Sequence, residues 1–423
     1  MSTDGPSSAR PVADTAEARA IPPLPRISIQ AFCESAEVAG VLNDAMADRR
    51  MSRAHVKVQM GGALAAVEAY RTLPTPNLIV LEFNGDRDTL IGHLDKLAEY
   101  CDSGTKVVVI GCLNDIVLYR ELISRGVSDY LVAPLEVLGL VRSLSHLYSH
   151  QTSQPIGRMI AVAGAKGGVG SSTLAHNLAW SISRTFEIAT TIVDLDLPYG
   201  TAGLDFNQDP PQGVAEAVFA PDRLDANLVD RLLSKCTDKL SILAAPAVLE
   251  RSYDLGETAF DGLFDILRLT VPVVVLDVPH GWTGWSRRTL VGADEVIVVS
   301  APDLANLRNA KNLIDVLKAA RPNDAAPKLV LNGVGLPKRP EITPADFAKS
   351  LEMQPTAIVP FDAKLFGVAA NNGQMIGEVE AGNRVAEIFT ELARGVMGRS
   401  EPRRGKKTLL EPFVARFARK KAS

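Results

Sequence analysis

The chain has 423 residues, 46% of them hydrophobic and 22% charged, an ordinary globular composition with room for two or three domains of ~100–200 residues each. Its net charge of −4 argues against wholesale nucleic-acid binding, and no apolar run reaches the ~18 residues of a membrane-crossing helix. Cys33, Cys101, Cys112 and Cys236 form no C-x-x-C pair, which excludes a disulfide framework and a cysteine metal site and fits a reducing cytoplasm.

Residues 1–26 are rich in Ala, Pro and Ser and lack the apolar core of a signal peptide. They are expected to be a disordered leader. From 27 to 149 short apolar runs alternate with helical spacing. Strands are predicted at 27–32, 55–58, 77–82, 106–111 and 129–132, with helices at 36–47 and 63–73 among them. Five βα repeats in so short a stretch predict a small doubly wound α/β sheet. In rhythm the segment resembles a response-regulator receiver, a flavodoxin-like fold. Its chemistry departs from that family. Receivers end the third strand in a phosphoacceptor Asp, where this chain has Glu82. The acidic pair after the first strand is Cys33-Glu34, the Ser/Thr after the fourth strand is Gly111, and the Lys before the late Pro is Ala133. The resemblance therefore implies a pseudo-receiver that takes no phosphoryl group and serves as a docking surface.

Residues 150–157 are a polar linker containing Pro155. An apolar run at 159–163 then predicts a buried parallel strand. It leads into Gly164-Ala165-Lys166-Gly167-Gly168-Val169-Gly170-Ser171-Ser172-Thr173, after which Leu174, Leu178 and Ile182 recur at helical spacing. Strand, glycine loop and helix N-terminus make a phosphate cradle, because backbone N–H groups and the helix dipole both face the anion. The loop is nearly G-x-x-x-x-G-K-[ST]. Ser172 supplies the magnesium hydroxyl, but Ser171 stands where the pattern has Lys and Ala165 where it has its first Gly.

Further strands carry acids at their ends. Residues 191–196 end in Asp194 and Asp196, which share one face if the strand runs to its end. Residues 271–277 end in Asp277, followed by Val278-Pro279-His280-Gly281. His280 reads as a surface residue. Strands are also predicted at 295–299, at 328–332 ending in Asn332, and at 358–362, which includes Pro360 and Asp362. The expected architecture from 158 to 398 is a second doubly wound, mostly parallel sheet.

The set of motifs from Gly164 to Asn332 resembles the MinD/ParA group of deviant P-loop ATPases. That resemblance implies ATP and Mg2+ as cofactors, held by Gly164 through Thr173. It implies Ser172, Asp194 and Asp277 on the metal side, with Asp277 acting through water, and Asp196 orienting the attacking water. Asn332 would meet the adenine edge, with Pro360 and Asp362 beside the base. Lys166 would cross to the nucleotide of a second subunit, so a homodimer is implied. With Ser171 in place of the lysine, binding is expected to persist and hydrolysis to be slow or absent, since a neutral hydrogen bond replaces a charge-assisted one. Receiver-like front and ATPase together resemble the CpaE/TadZ family of Flp/tad pilus-assembly proteins, as does the stretch from Phe361 through Val368, Asn371 and Gly373. Partners would then be pilus secretion machinery at the inner membrane, often at a cell pole.

The tail, residues 399–423, is basic. From Arg403 onward it carries +7, leaving about −11 on the body. Leu410, Phe413, Val414 and Phe417 form one stripe at helical spacing, with Pro412 in the first turn. Three readings stay open for 403–423: a peripheral contact with anionic lipid, a partner-docking helix and a plain solubilising tail. Two competing functions are also weighed. A ParA-like DNA-partition ATPase would use Arg287-Arg288 and Lys338-Arg339 on phosphates, which the acidic balance disfavours. A pseudo-ATPase scaffold would bind no nucleotide at all.

Overall fold

The computed structural model describes residues 21–102, 104–149, 156–250 and 252–398. The expected leader up to residue 20, most of the linker (150–155) and the basic tail from 399 lie outside the described residues.

The first sheet contains β1 (Ser28–Cys33), β2 (His55–Met60), β3 (Leu78–Phe83), β4 (Lys106–Gly111) and β5 (Asp129–Val132). All pairings are parallel, in the order β2-β1-β3-β4-β5. The crossovers are α1 (Ala36–Met46), α2 (Gly62–Tyr70), α3 (Arg87–Ala98) and α4 (Ile116–Ser124), and α5 (Val137–Ser149) follows β5. Helices cover both faces, so the central strands read as continuous apolar runs, and β3 is buried throughout. Alternate residues serve opposite cores. Ile29, Ala31, Leu78, Val80 and Ile110 pack with Leu42 of α1 and Leu140 and Leu144 of α5. Phe32, Ile79, Leu81 and Val109 pack with Ala66, Leu94 and Leu118 from α2, α3 and α4.

The leader expected to reach residue 26 is ordered from residue 21. Ile21 and Leu24 are buried in the first of these cores, and the Leu24 N–H donates to Arg50 O at 2.8 Å. Two apolar side chains among prolines fill the side of α5, where the Ser145 hydroxyl also bonds Pro22 O.

The second sheet has eight strands in the order β13-β12-β11-β6-β10-β7-β9-β8. They are β6 (Arg158–Gly164), β7 (Thr190–Asp194), β8 (Ser234–Thr237), β9 (Leu240–Leu243), β10 (Val273–Val278), β11 (Glu295–Ser300), β12 (Lys328–Val334) and β13 (Ala357–Pro360). Every pairing is parallel except β8 with β9 at one edge. That hairpin is new relative to the sequence reading. The helix after the glycine loop, α6 (Ser171–Phe186), lies between the sheet and the helix Arg384–Val396.

The two sheets are joined by buried ion pairs. Arg49 and Arg50 stand on a 3₁₀ turn before β2, and Arg50 is fully buried. Arg49 pairs with Asp294 at 2.9 Å and with Asp324 at 2.7 Å, and Arg50 pairs with Asp324 at 2.7 Å and with Asp48 at 2.9 Å. From the second sheet's side, Arg268 reaches Asp294 at 2.7 Å and Arg321 reaches Asp324 at 3.3 Å. Asp294 also accepts the N–H of Met159, the second residue of β6, at 2.8 Å. The joint therefore grips the strand edge opposite the glycine loop. Burial disfavours the charge on Asp294. The Arg268 and Arg49 guanidiniums and the Met159 N–H outweigh it and hold the carboxyl well below the usual range. Asp324 is lowered as well: burial again opposes, and Arg49, Arg321 and Arg50 prevail.

Removing one partner of a buried pair strands the other, at a cost of about 3–5 kcal/mol. Arg49→Ala is expected to lose stability on that scale in chemical denaturation, and a loss under about 1 kcal/mol, the scale of a surface pair, would contradict the assignment. Because both aspartates titrate lower when folded, their stabilisation is complete above the unfolded value of ~3.9 and drains away as pH falls below it. Wild type should lose more stability than Arg49→Ala on acidification through that window.

Candidate functional site

β6 ends at Gly164 and α6 begins at Ser171, so six residues make the turn. Two of them take left-handed backbone, Gly168 at φ +77° and Gly170 at φ +82°. At Gly170 a side chain is barred twice, because an added Cβ would also sit 2.5 Å from Asn332 Nδ2. The loop is fastened from four elements. The Ala165 N–H donates to Val299 O of β11 at 2.7 Å. Asn309 Nδ2 donates to Ala165 O at 3.0 Å, and Asn332 Nδ2 donates to Val169 O at 2.8 Å. His280 Nδ1 lies 3.0 Å from Gly164 O. Lys166, Gly167 and Gly168 remain exposed, and Ser171, Ser172 and Thr173 are half-buried on the first helical turn. The first N–H groups of a helix have no partner inside it, and here they open toward the exposed loop.

Beside the loop lies a carboxylate cluster. Asp194 ends β7 and Asp277 lies near the end of β10, opposite each other in register, and both are buried. The Ser172 hydroxyl favours the charged form of Asp277. Asp194 accepts the Asp196 and Ala202 N–H groups, each at 3.1 Å. Those bonds explain a departure from the sequence reading. The strand expected to run to Asp196 stops at Asp194, because the chain folds back over the Asp194 carboxylate. Asp196 is half-buried in the following turn, where its carboxylate accepts the Tyr199 N–H at 3.3 Å.

Sequence reasoning missed His176. It sits four residues after Ser172 on α6, fully buried, with Nδ1 2.7 Å from Asp205 Oδ2 and Nε2 3.6 Å from Asp277 Oδ2. The i, i+4 spacing from Ser172 is the signal that marks it. Burial pushes the Asp277 carboxyl up to about 7, with His176 opposing, the Asp194 charge adding and the Ser172 hydroxyl opposing. Burial also raises Asp194 and Asp196. His176 is shifted up: burial alone would lower it, but its bond to Asp205 and the charges of Asp277, Asp205 and Asp194 prevail.

The structure thus brings Gly164–Thr173, Asp194, Asp277 and Asn332 together. Asn332 lies against the loop itself. Pro360 ends β13, paired with Val334 of β12, and the Asp362 carboxylate caps the next helix by accepting the Leu365 N–H at 2.9 Å. The residues fit a magnesium–nucleotide: an open anion cradle, a hydroxyl at its first turn and two buried acids side by side whose burial disfavours their charge.

In the first sheet Glu82 is internally satisfied. It accepts the Glu34 and Ser35 N–H groups at 2.8 and 2.9 Å and Asn84 Nδ2 at 3.0 Å. Burial opposes its charge, but these bonds together hold the carboxyl below its usual value. At Gly111, the Tyr130 hydroxyl fills the space a side chain would need.

No family model matches the chain. Among curated proteins it is 26% identical over 254 residues to the septum site-determining protein MinD of Synechocystis, covering 58% of this chain and 91% of that one. The MinD of Pyrococcus horikoshii, solved with Mg-ADP, is similar in fold at 21% identity and TM-score 0.51, over 57% of this chain and 96% of that one. Fold and site together define a MinD-like P-loop protein. The pilus assembly protein CpaE of Caulobacter crescentus is 50% identical over 97% of its solved chain and 30% of this one, with a TM-score of 0.30. On that sequence identity, and not on the superposition, the chain belongs to the CpaE/MinD-like family.

A carboxyl whose folded pKa is raised gives full stability below ~3.9 and loses it as pH climbs toward the folded value near 7. In chelated, nucleotide-free protein, Asp277→Asn should gain on wild type by on the order of 2 kcal/mol between pH 4 and 7.5. A difference independent of pH would contradict the burial account.

Proposed function

We propose that this chain binds ATP with Mg2+ at Gly164–Thr173 and acts as an ATP-dependent homodimer that places or assembles a Flp/tad-type pilus secretion machine. The observation that carries the reading is the glycine loop at the open N-terminus of α6, held by Val299, His280, Asn309 and Asn332 beside the buried, register-paired carboxyls of Asp194 and Asp277. The 50% identity to a pilus assembly protein supports the process. Bound Mg2+ would supply positive charge at the phosphates. Ser172, Asp194 and Asp277 would hold it, and Asp196 would orient the attacking water. Lys166, exposed on the outer side of the loop, would reach the partner's nucleotide. Asn332, Pro360 and Asp362 would border the base. The free cysteines support a cytoplasmic setting, and among the described residues no helix is long and apolar enough to cross a membrane. Contact with the inner membrane through 403–423 belongs to the same proposal.

Two alternatives meet the structure differently. Partition on DNA needs cations free to meet phosphates, yet Arg288 is committed to Asp261 through bonds of 2.9 and 2.7 Å. A nucleotide-free scaffold is favoured by one residue, Ser171, where a lysine would have carried charge to the phosphates.

Calorimetry with ATP and ADP in Mg2+, run beside light scattering, is expected to show ATP binding with a monomer-to-dimer shift. Absence of binding at millimolar nucleotide overturns the reading in favour of the scaffold. Ser171→Lys is expected to raise hydrolysis about tenfold or more, since a charge-assisted contact replaces a neutral one. Lys166→Ala is expected to abolish the mass shift while leaving ATP binding in place.

A further inference from the structure

His176 is held as a metal-ligating histidine is held. Its Nδ1 faces Asp205 Oδ2 at 2.7 Å. A carboxylate only accepts, so the ring hydrogen lies on Nδ1 and the tautomer is fixed. The consequence falls on Nε2. It is buried and has no hydrogen-bond partner. The acidic oxygen it faces, Asp277 Oδ2, is 3.6 Å away, too far for a hydrogen bond. A proton placed on Nε2 would find no acceptor within reach there.

An ion would resolve this. One ligand atom from each of His176, Asp194 and Asp277 lies within 4.8 Å of the other two. Metal–nitrogen and metal–oxygen bonds of ~2.0–2.2 Å put opposite ligands roughly 4 Å apart, so a small inward movement closes the set on one ion. Two buried carboxylates and a divalent cation also sum to zero charge, which removes the penalty of burying the acids unpaired. A carboxylate behind a histidine behind an ion is the usual outer support of such centres, and Asp205 occupies that place.

We propose that His176, Asp194 and Asp277 form a nitrogen-containing divalent-metal centre that takes a first-row transition ion in preference to Mg2+. Mg2+ favours oxygen ligands and retains its waters, whereas an imidazole nitrogen favours the transition series. The inference deepens the proposed nucleotide reading, since Asp194 and Asp277 serve both, but it requires an ion bound without nucleotide.

Full-length protein, stripped by chelation and free of nucleotide, is titrated with Co2+ and separately with Mn2+. One ion per chain is expected, bound about tenfold or more tightly than Mg2+. Pulsed EPR of the Mn2+ form should show coupling to a ¹⁴N nucleus. His176→Gln should remove that coupling and weaken binding by about 100-fold or more, and Asp205→Asn, which keeps all three ligands, should weaken it by about 10–100-fold and retain the coupling. No nucleotide-free binding, no ¹⁴N coupling in wild type, or unchanged affinity in His176→Gln each overturns the centre. If His176→Gln does not fold, the wild-type coupling and the Asp205→Asn affinity decide. Mg-ATP calorimetry on the same preparation separates the two proposals. ATP binding without transition-ion binding sinks the metal centre alone, and ion binding without ATP binding sinks the nucleotide reading alone.

Discussion

Two carboxylates, Asp194 and Asp277, stand opposite each other on adjacent strands of a sheet, removed from water. Like charges so placed repel, and neither is well solvated, so both carboxyls resist ionisation. Much of the local structure answers that difficulty. Backbone N–H groups from Asp196 and Ala202 turn toward Asp194, which ends the strand and sets the path of the loop. Ser172, on the first turn of α6, favours the charged form of Asp277. His176 is driven between Asp277 and Asp205. A site arranged to be uncomfortable when empty gains most when a cation arrives.

The far edge of the same sheet is arranged in the opposite sense. There Arg49, Arg50, Arg268 and Arg321 face Asp48, Asp294 and Asp324, and the charges are mutually satisfied. Asp294 immediately precedes β11, whose Val299 holds the phosphate loop through Ala165, and it bonds Met159, the second residue of the strand that delivers the loop. One edge of the sheet is thus locked to the first sheet, while the exposed residues of the loop, Lys166, Gly167 and Gly168, stand at the other.

Sequence reasoning found what repeats or what is chemically rare. Buried parallel strands are continuous apolar runs, so β3, β4, β6, β10 and β11 were legible within a residue or two. The glycines of the loop were legible because glycine takes the left-handed turns at 168 and 170 without the strain other residues meet there. The end of β7 was not, since the deciding bonds join a side chain to backbone eight residues on. A lone histidine on an apolar helix reads as core until the third dimension puts Asp205 and Asp277 at its two nitrogens. The arginines at 49 and 50 carried no signal in the sequence, because the aspartates that Arg49 meets lie 245 and 275 residues away. The β8–β9 hairpin escaped because four-residue edge strands carry too little pattern.

Glu82 has a consequence for how information moves through the molecule. Its extra methylene lets the carboxylate reach the backbone after β1 and close on Glu34 and Ser35. An incoming phosphoryl group would have to break those bonds and leave two amides without acceptors. The end of β3 is therefore tied to the loop after β1 as the chain folds. In wiring terms, this carboxylate is a closed contact within the first sheet rather than an open terminal.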